Sequence, residues 1–217
     1  MSHFSRLFDR FRQPSSPPRE TAAVEGRWLV AGLGNPGGRY KDSRHNTGFM
    51  AATYLASRYG IELTRNKFSG LFGDARIADA PAIIVMPQTF YNRSGDCLAS
   101  LTGYFRIPVE RVIVIHDELD LPLGRLQLKR GGSDAGNRGV RSVAAALGPD
   151  FIRIRVGVGR PSQTGGAIDH VLDAFDREER RVVEGLLERI ADAVEAIIRD
   201  GLERAMSIYN QRSDPRA

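Results

Sequence analysis

Two short runs in this chain are almost wholly apolar: PAIIVMP, from Pro81 to Pro87, and RVIVIHDE, from Arg111 to Glu118. A segment that is apolar at both odd and even positions has no face to offer water, so each run reads as a strand covered on both sides. Covered strands require helices above and below the sheet, and the rest of the chain is patterned to supply them. Residues 43–59 place Phe49, Met50, Tyr54 and Leu55 at helical spacing, with Gly60 as the stop. Residues 93–105 read as a second helix. The stretch from Asp176 to Asp200 sets Val183, Leu186, Leu187, Ile190, Val194 and Ile197 on one stripe, behind a capping box of Asp176 and Glu179. Gly201 breaks that helix before a shorter one running through Tyr209. RWLVAGLG, from Arg27, is a further strand, whereas GRLQLKR and FIRIRVGVG alternate as half-buried strands do. The expected architecture is α/β: a single domain with a twisted mixed β-sheet surrounded by helices and a helical C-terminal layer.

The domain is expected over residues 27–211. Before it, residues 1–26 contain RQPSSPPRE and read as a flexible arm; residues 212–217 read as a disordered tail. The arm lacks the apolar segment of a secretory signal. No apolar run approaches the roughly 18 residues that a membrane span requires, so no membrane association is expected. Cys97 is the only cysteine, which excludes an internal disulfide and a multi-cysteine zinc site and fits a cytoplasmic location. The net charge of +5 comes mostly from arginine, since Lys41, Lys67 and Lys129 are the only lysines. Such a balance suits a polyanionic partner without identifying one.

GLGNPG, from Gly32 to Gly37, matches the glycine spacing of a dinucleotide-binding loop. That loop should open a helix, and an acidic residue should follow about 20 positions later. Here Pro36 stands inside the fingerprint, GGRYKDSRHN continues as loop, and residues 52–59 hold no acid. The nicotinamide cofactor reading fails on both counts. More chemistry lies in the residues that follow. His45 opens a helix among small polar neighbours, and Asp117 closes a buried strand, at the edge where open α/β sheets bind ligands. An aspartate at that edge can hold a histidine in the tautomer of a general base. Asn92, after another strand, supplies an amide. Each residue also has a plain structural reading: Asn35 before proline as a turn former, Asp117, Glu118 or Asp120 as a loop cap, Asn92 or Ser94 as a helix start, Phe90 and Tyr91 as core.

Taken in order, GLGNPG, SRHNTG, PQTFYNRSG, HDELDLPLG, KRGG and RIRVGVGRP resemble the bacterial peptidyl-tRNA hydrolase family over residues 27–210. The resemblance implies an enzyme that cleaves the ester between a peptide and the 3′ ribose of tRNA, recycling tRNA from aborted translation. It implies no metal and no cofactor, a cytoplasmic monomer, and peptidyl-tRNA as partner. It makes His45 the base that activates water, with Asp117 as its partner. Asn35 would contact the peptide end, Asn92 would position substrate or water, and Tyr40 and Phe90 would line the groove for the 3′ terminus. No GxSxG elbow is present, so no serine nucleophile is expected. Lys129, Arg130, Arg138 and Arg141 gather near one strand end and the next helix, where they could hold tRNA phosphates. Arg153 and Arg155 alternate with apolar residues and could instead line a solvated sheet face.

The resemblance breaks in two places. Where the family carries His–Asn–Gly, this chain reads Asn137-Arg138-Gly139. Either Asn137 reaches the site or Arg138 replaces an amide with a guanidinium. Tyr91 stands where the family often has methionine. A non-catalytic RNA-binding relative of the same fold is the alternative function that these departures leave open.

Overall fold

The computed structural model describes residues 26–161 and 166–211. The expected arm, up to residue 25, and the expected tail lie outside the described residues. Seven strands form one sheet in the order β2-β3-β4-β1-β5-β7-β6. The four central strands are mutually parallel: β4 (Ala80–Pro87), β1 (Trp28–Gly32), β5 (Val112–Glu118) and β7 (Ile152–Gly157). On one side β3 (Gly70–Ile77) and β2 (Arg65–Lys67) join antiparallel, and on the other β6 (Leu126–Arg130) does.

The apolar runs mark the middle of the sheet, as expected. All seven residues of β5 are buried. Alternate positions face two different cores. Val30, Ile84, Ile113 and Ile115 pack against α1 (Thr47–Arg58) and against the C-terminal layer of α5 (Arg177–Asp200) and α6 (Leu202–Tyr209). Leu29, Ala31, Ile83, Val85, Val112 and Val114 pack against α2 (Ser94–Phe105) and α3 (Arg138–Leu147). The capping box at Asp176 and Glu179 is formed from both sides.

Two features depart from the sequence expectation. The hairpins β2–β3–β4 carry no turn signature because their turns are Phe68-Ser69 and Ala78-Asp79, all four at positive φ. Such turns normally recruit Asn-Gly or Gly, and here ordinary residues are held there by the strand pairing on either side. In addition, β7 is not half-exposed. It lies between β5 and β6, and Arg153 is 2% exposed. Its guanidinium donates to the carbonyls of Gly132 and Ser133, and Arg155 pairs with Glu118 at 2.8 Å. The solvated-face reading of these two arginines is therefore corrected: their charges are spent inside the protein.

The first two glycines of GLGNPG, Gly32 and Gly34, serve packing, whereas Gly37 has open space around it and a φ of +103°. A Cβ on Gly32 would lie 2.0 Å from the Gly48 carbonyl oxygen, and one on Gly48 would lie 2.4 Å from the carbonyl oxygen of Ile115 and the amide nitrogen of Leu33. Backbone meets backbone there, which draws the start of α1 onto the ends of β1 and β5. His45, two residues before that helix, is delivered to the sheet edge by this contact.

Candidate active site

Loops leaving the carboxyl ends of β1, β4 and β5 surround a cavity of about 480 Å³. Asn35, His45, Phe90, Asn92, Asp117, Asn137 and Arg138 all line it, so seven sequence-designated residues meet in one place. At its floor, His45 Nδ1 lies 2.9 Å from Asp117 Oδ2. Asp117 is 3% exposed. Burial opposes its ionisation, yet the neighbouring His45, together with hydrogen bonds from His45 and Tyr91 and the influence of His116, outweighs burial and holds the carboxyl below its ordinary range. An ionised carboxylate only accepts, so Nδ1 carries a proton, and in the neutral form of the ring the lone pair lies on Nε2. No described residue bonds Nε2.

The segment preceding His45 is fixed by Arg44. Its guanidinium reaches the carbonyls of Asp173 and Ala174 at 3.3 and 3.1 Å, pairs with Glu179 at 2.5 Å, and lies over the Phe175 ring. Asn46 closes the other side: its amide nitrogen donates to the Asn35 carbonyl, and its amide oxygen accepts from the Asn35 backbone nitrogen. The Asn35 side chain accepts from the Tyr91 backbone nitrogen at 2.9 Å, which leaves its Nδ2 for a ligand.

The structure brings Asn137 to the His45–Asp117 pair. As N-cap of α3 it accepts from the Val140 nitrogen, while its Nδ2 donates to the Asp117 carbonyl at 3.1 Å and to the Tyr91 hydroxyl at 3.0 Å. Arg138 is exposed on the cavity wall beside it. Asn92 is exposed there too and makes no hydrogen bond to a described residue, and Phe90 is 71% exposed.

Other expected residues lie away from the cavity. Tyr40 does not line it; its ring lies under the Arg39 guanidinium on a 3₁₀ turn. Lys129, Arg130 and Arg141 are also outside. Burial, with Arg155 and Arg153 nearby, pushes the Lys129 ammonium below its usual range. Arg130 donates to the Asp150 carbonyl, and Arg141 is held by Asp134 through two bonds.

Two parts of the site had no sequence expectation. One is α4 (Ala167–Leu172), whose Ile168, Val171 and Leu172 form an apolar wall. The other is the role of Tyr91, which had been noted only as a departure or as core. It is 4% exposed, its ring stacks on the His45 imidazole with centroids 3.5 Å apart, and its hydroxyl donates to Asp117 Oδ1 at 2.6 Å. Among the described residues, no group of three or more His, Cys, Asp or Glu side chains is placed to hold a metal ion. No helix among them is long and apolar enough to cross a membrane.

With this geometry established, comparison with known proteins gives a consistent result. A family model described as peptidyl-tRNA hydrolase matches residues 29–216. The chain is 46% identical over 191 residues to the peptidyl-tRNA hydrolase of Frankia casuarinae, covering 88% of this chain and 97% of that one. It is 43% identical over 185 residues to the peptidyl-tRNA hydrolase of Geotalea daltonii, covering 85% and 96%. Among solved structures, the peptidyl-tRNA hydrolase of Acinetobacter baumannii superposes with a TM-score of 0.79 at 32% identity, over 86% of this chain and 95% of that one.

Proposed function

Because the chain belongs to the peptidyl-tRNA hydrolase family and is an enzyme that cleaves the ester between peptide and tRNA, we propose that His45 activates the attacking water, with Asp117 holding it in the basic tautomer. The contact between His45 Nδ1 and Asp117 Oδ2, at the floor of the cavity, carries this reading. Water on the Nε2 side gives its proton to that nitrogen as its oxygen adds to the ester carbonyl. The imidazolium formed is stabilised by Asp117. It then returns the proton to the ribose oxygen as the tetrahedral intermediate collapses, giving tRNA with a free 3′ hydroxyl and a peptide carboxylic acid that releases its remaining proton to solvent.

The remaining donors have complementary tasks. Asn137 is committed to Asp117 and Tyr91, so the amide that supports the developing oxyanion is Asn92, with Arg138 adding positive charge at the cavity wall. The Nδ2 of Asn35 suits a carbonyl of the peptide end, and the apolar wall of α4 with Phe90 suits peptide side chains and the terminal base. The proposed acting form is a monomer, in the cytoplasm where peptidyl-tRNA arises.

The test is release of the peptidyl moiety from an N-blocked aminoacyl-tRNA in EDTA, comparing wild type with His45→Ala. Turnover that persists in EDTA and falls roughly a hundred- to ten-thousand-fold in the variant is the expected result. Undiminished turnover by His45→Ala would refute the role given to His45.

A further inference from the structure

Both members of the catalytic pair are gripped by one side chain. Tyr91 sits in the loop between β4 and α2, and four separate contacts converge on it. Its backbone nitrogen is held by Asn35 Oδ1 at 2.9 Å. Its ring lies against the His45 imidazole at 3.5 Å between centroids, with the planes 21° apart. Its hydroxyl donates to Asp117 Oδ1 at 2.6 Å and accepts from Asn137 Nδ2 at 3.0 Å. We propose that Tyr91 is the positioning residue of this site: the ring fixes the plane of the His45 imidazole and the hydroxyl fixes the Asp117 carboxylate, so that Oδ2 meets Nδ1 and Nε2 stays on the cavity side. The proposal rests on the reading of His45 as the base.

A carboxylate bonded only to a histidine can turn about its Cβ–Cγ bond and offer either oxygen. With Oδ1 taken by the phenol and Oδ2 by the imidazole, a single orientation satisfies both. The phenol is a permanent donor: burial first, and then the charge of Asp117, pushes its ionisation far above the ordinary range. Its hydrogen bond also draws charge away from the carboxylate, so Asp117 stabilises an imidazolium less than an unbonded carboxylate would.

The other charged groups around the pair are already committed or keep their places. On β5, Glu118 is paired with Arg155, and burial lowers the protonation of His116. On β7, Arg153 donates to carbonyls. Before α1, Arg44 is paired with Glu179, and on α4 the His170 ring faces the carbonyls of Val158 and Gly159. Arg138, at the start of α3, is exposed on the cavity wall.

Tyr91→Phe keeps the ring and removes one oxygen. Asp117 Oδ1 then keeps only the longer, 3.3 Å bond from Asn137 Nδ2 and holds more of its charge, so the acid limb of the kcat/KM profile moves up by about half a pH unit. The looser carboxylate lowers plateau kcat about tenfold with KM little changed. Site-specific replacement of Tyr91 by 3-fluorotyrosine strengthens the donor without changing the packing, and moves the acid limb the opposite way. A purely structural role would alter the melting temperature and leave the acid limb in place. If both variants titrate like wild type, the proposal is overturned; if Tyr91→Phe does not fold, the fluorinated protein decides alone. His45→Ala, assayed alongside, separates the two claims, because collapse of its activity upholds the base while the Tyr91 variants judge only the positioning.

Discussion

Gly139, the second residue of α3, faces the Tyr91 ring so closely that a Cβ there would lie 2.3 Å from Cε1, 2.7 Å from Cδ1 and 3.0 Å from Leu33 Cδ1. Gly139→Ala therefore drives a methyl group into the ring while removing no polar group from the site. Two terms act on stability. Alanine in a helix is favoured over glycine by about 1 kcal/mol, and overpacking costs about 1–3 kcal/mol. The net change is a loss of no more than about 2 kcal/mol, a fall of roughly 4–8 °C in Tm for a chain of this size. The effect on catalysis is larger. Ordinary carbon contacts need about 3.5 Å, so the ring must retreat by roughly 1 Å. The stack on His45 blocks one direction, and a hydroxyl now 2.6 Å from Asp117 would be carried out of hydrogen-bond range. A displacement of that size around a catalytic group costs about a hundredfold, close to 2.7 kcal/mol in kcat/KM. The assay is kcat/KM on an N-blocked aminoacyl-tRNA beside a thermal melt, with Gly103→Ala as control. Gly103 lies in α2 with nothing within 4 Å of its added Cβ, so that variant should gain stability and keep full activity. A Gly139→Ala enzyme with wild-type kcat/KM would refute the reasoning.

Cys97 is fully buried, and burial pushes its thiol from the ordinary 9.0 up to about 12. Above pH 9 the unfolded chain releases a proton that the folded protein keeps, so stability present below that pH is lost as the pH rises toward the folded value. Urea unfolding in reductant at pH 8 and pH 10 should show wild type losing about 1 kcal/mol more than Cys97→Ala between the two; equal losses would contradict it. On the tRNA side, Arg130→Ala should flatten the salt dependence of affinity for uncharged tRNA by roughly 0.7–0.9 in log–log slope. Arg141→Ala should change it less, because Asp134 already neutralises that guanidinium. The reverse order would show that Asp134 releases Arg141 on binding.

The central strands, α1, α2 and the capped α5 were legible in the chain because periodicity is a local property. PAIIVMP cannot be anything but covered, and Asp176 with Glu179 caps a helix wherever that helix packs. His45 and Asp117 were legible as chemistry at a sheet edge, and the failure of GLGNPG as a cofactor loop could be read from its own flanks. The hairpins were not, since turns through Phe68-Ser69 and Ala78-Asp79 take their conformation from the strands around them. Nor was the burial of Arg153, which depends on β6 lying beside β7. The choice between Asn137 and Arg138 lay beyond the sequence because adjacent residues at a helix start point in different directions, and only the cap geometry assigns one of them to the cavity floor. Tyr91 shows the same limit most clearly. Its partners are 46 residues away at His45, 26 at Asp117 and 46 at Asn137, and no local pattern joins them. Composition and spacing settle which groups a chain possesses; the packing of distant loops on a shared sheet edge settles which of them touch.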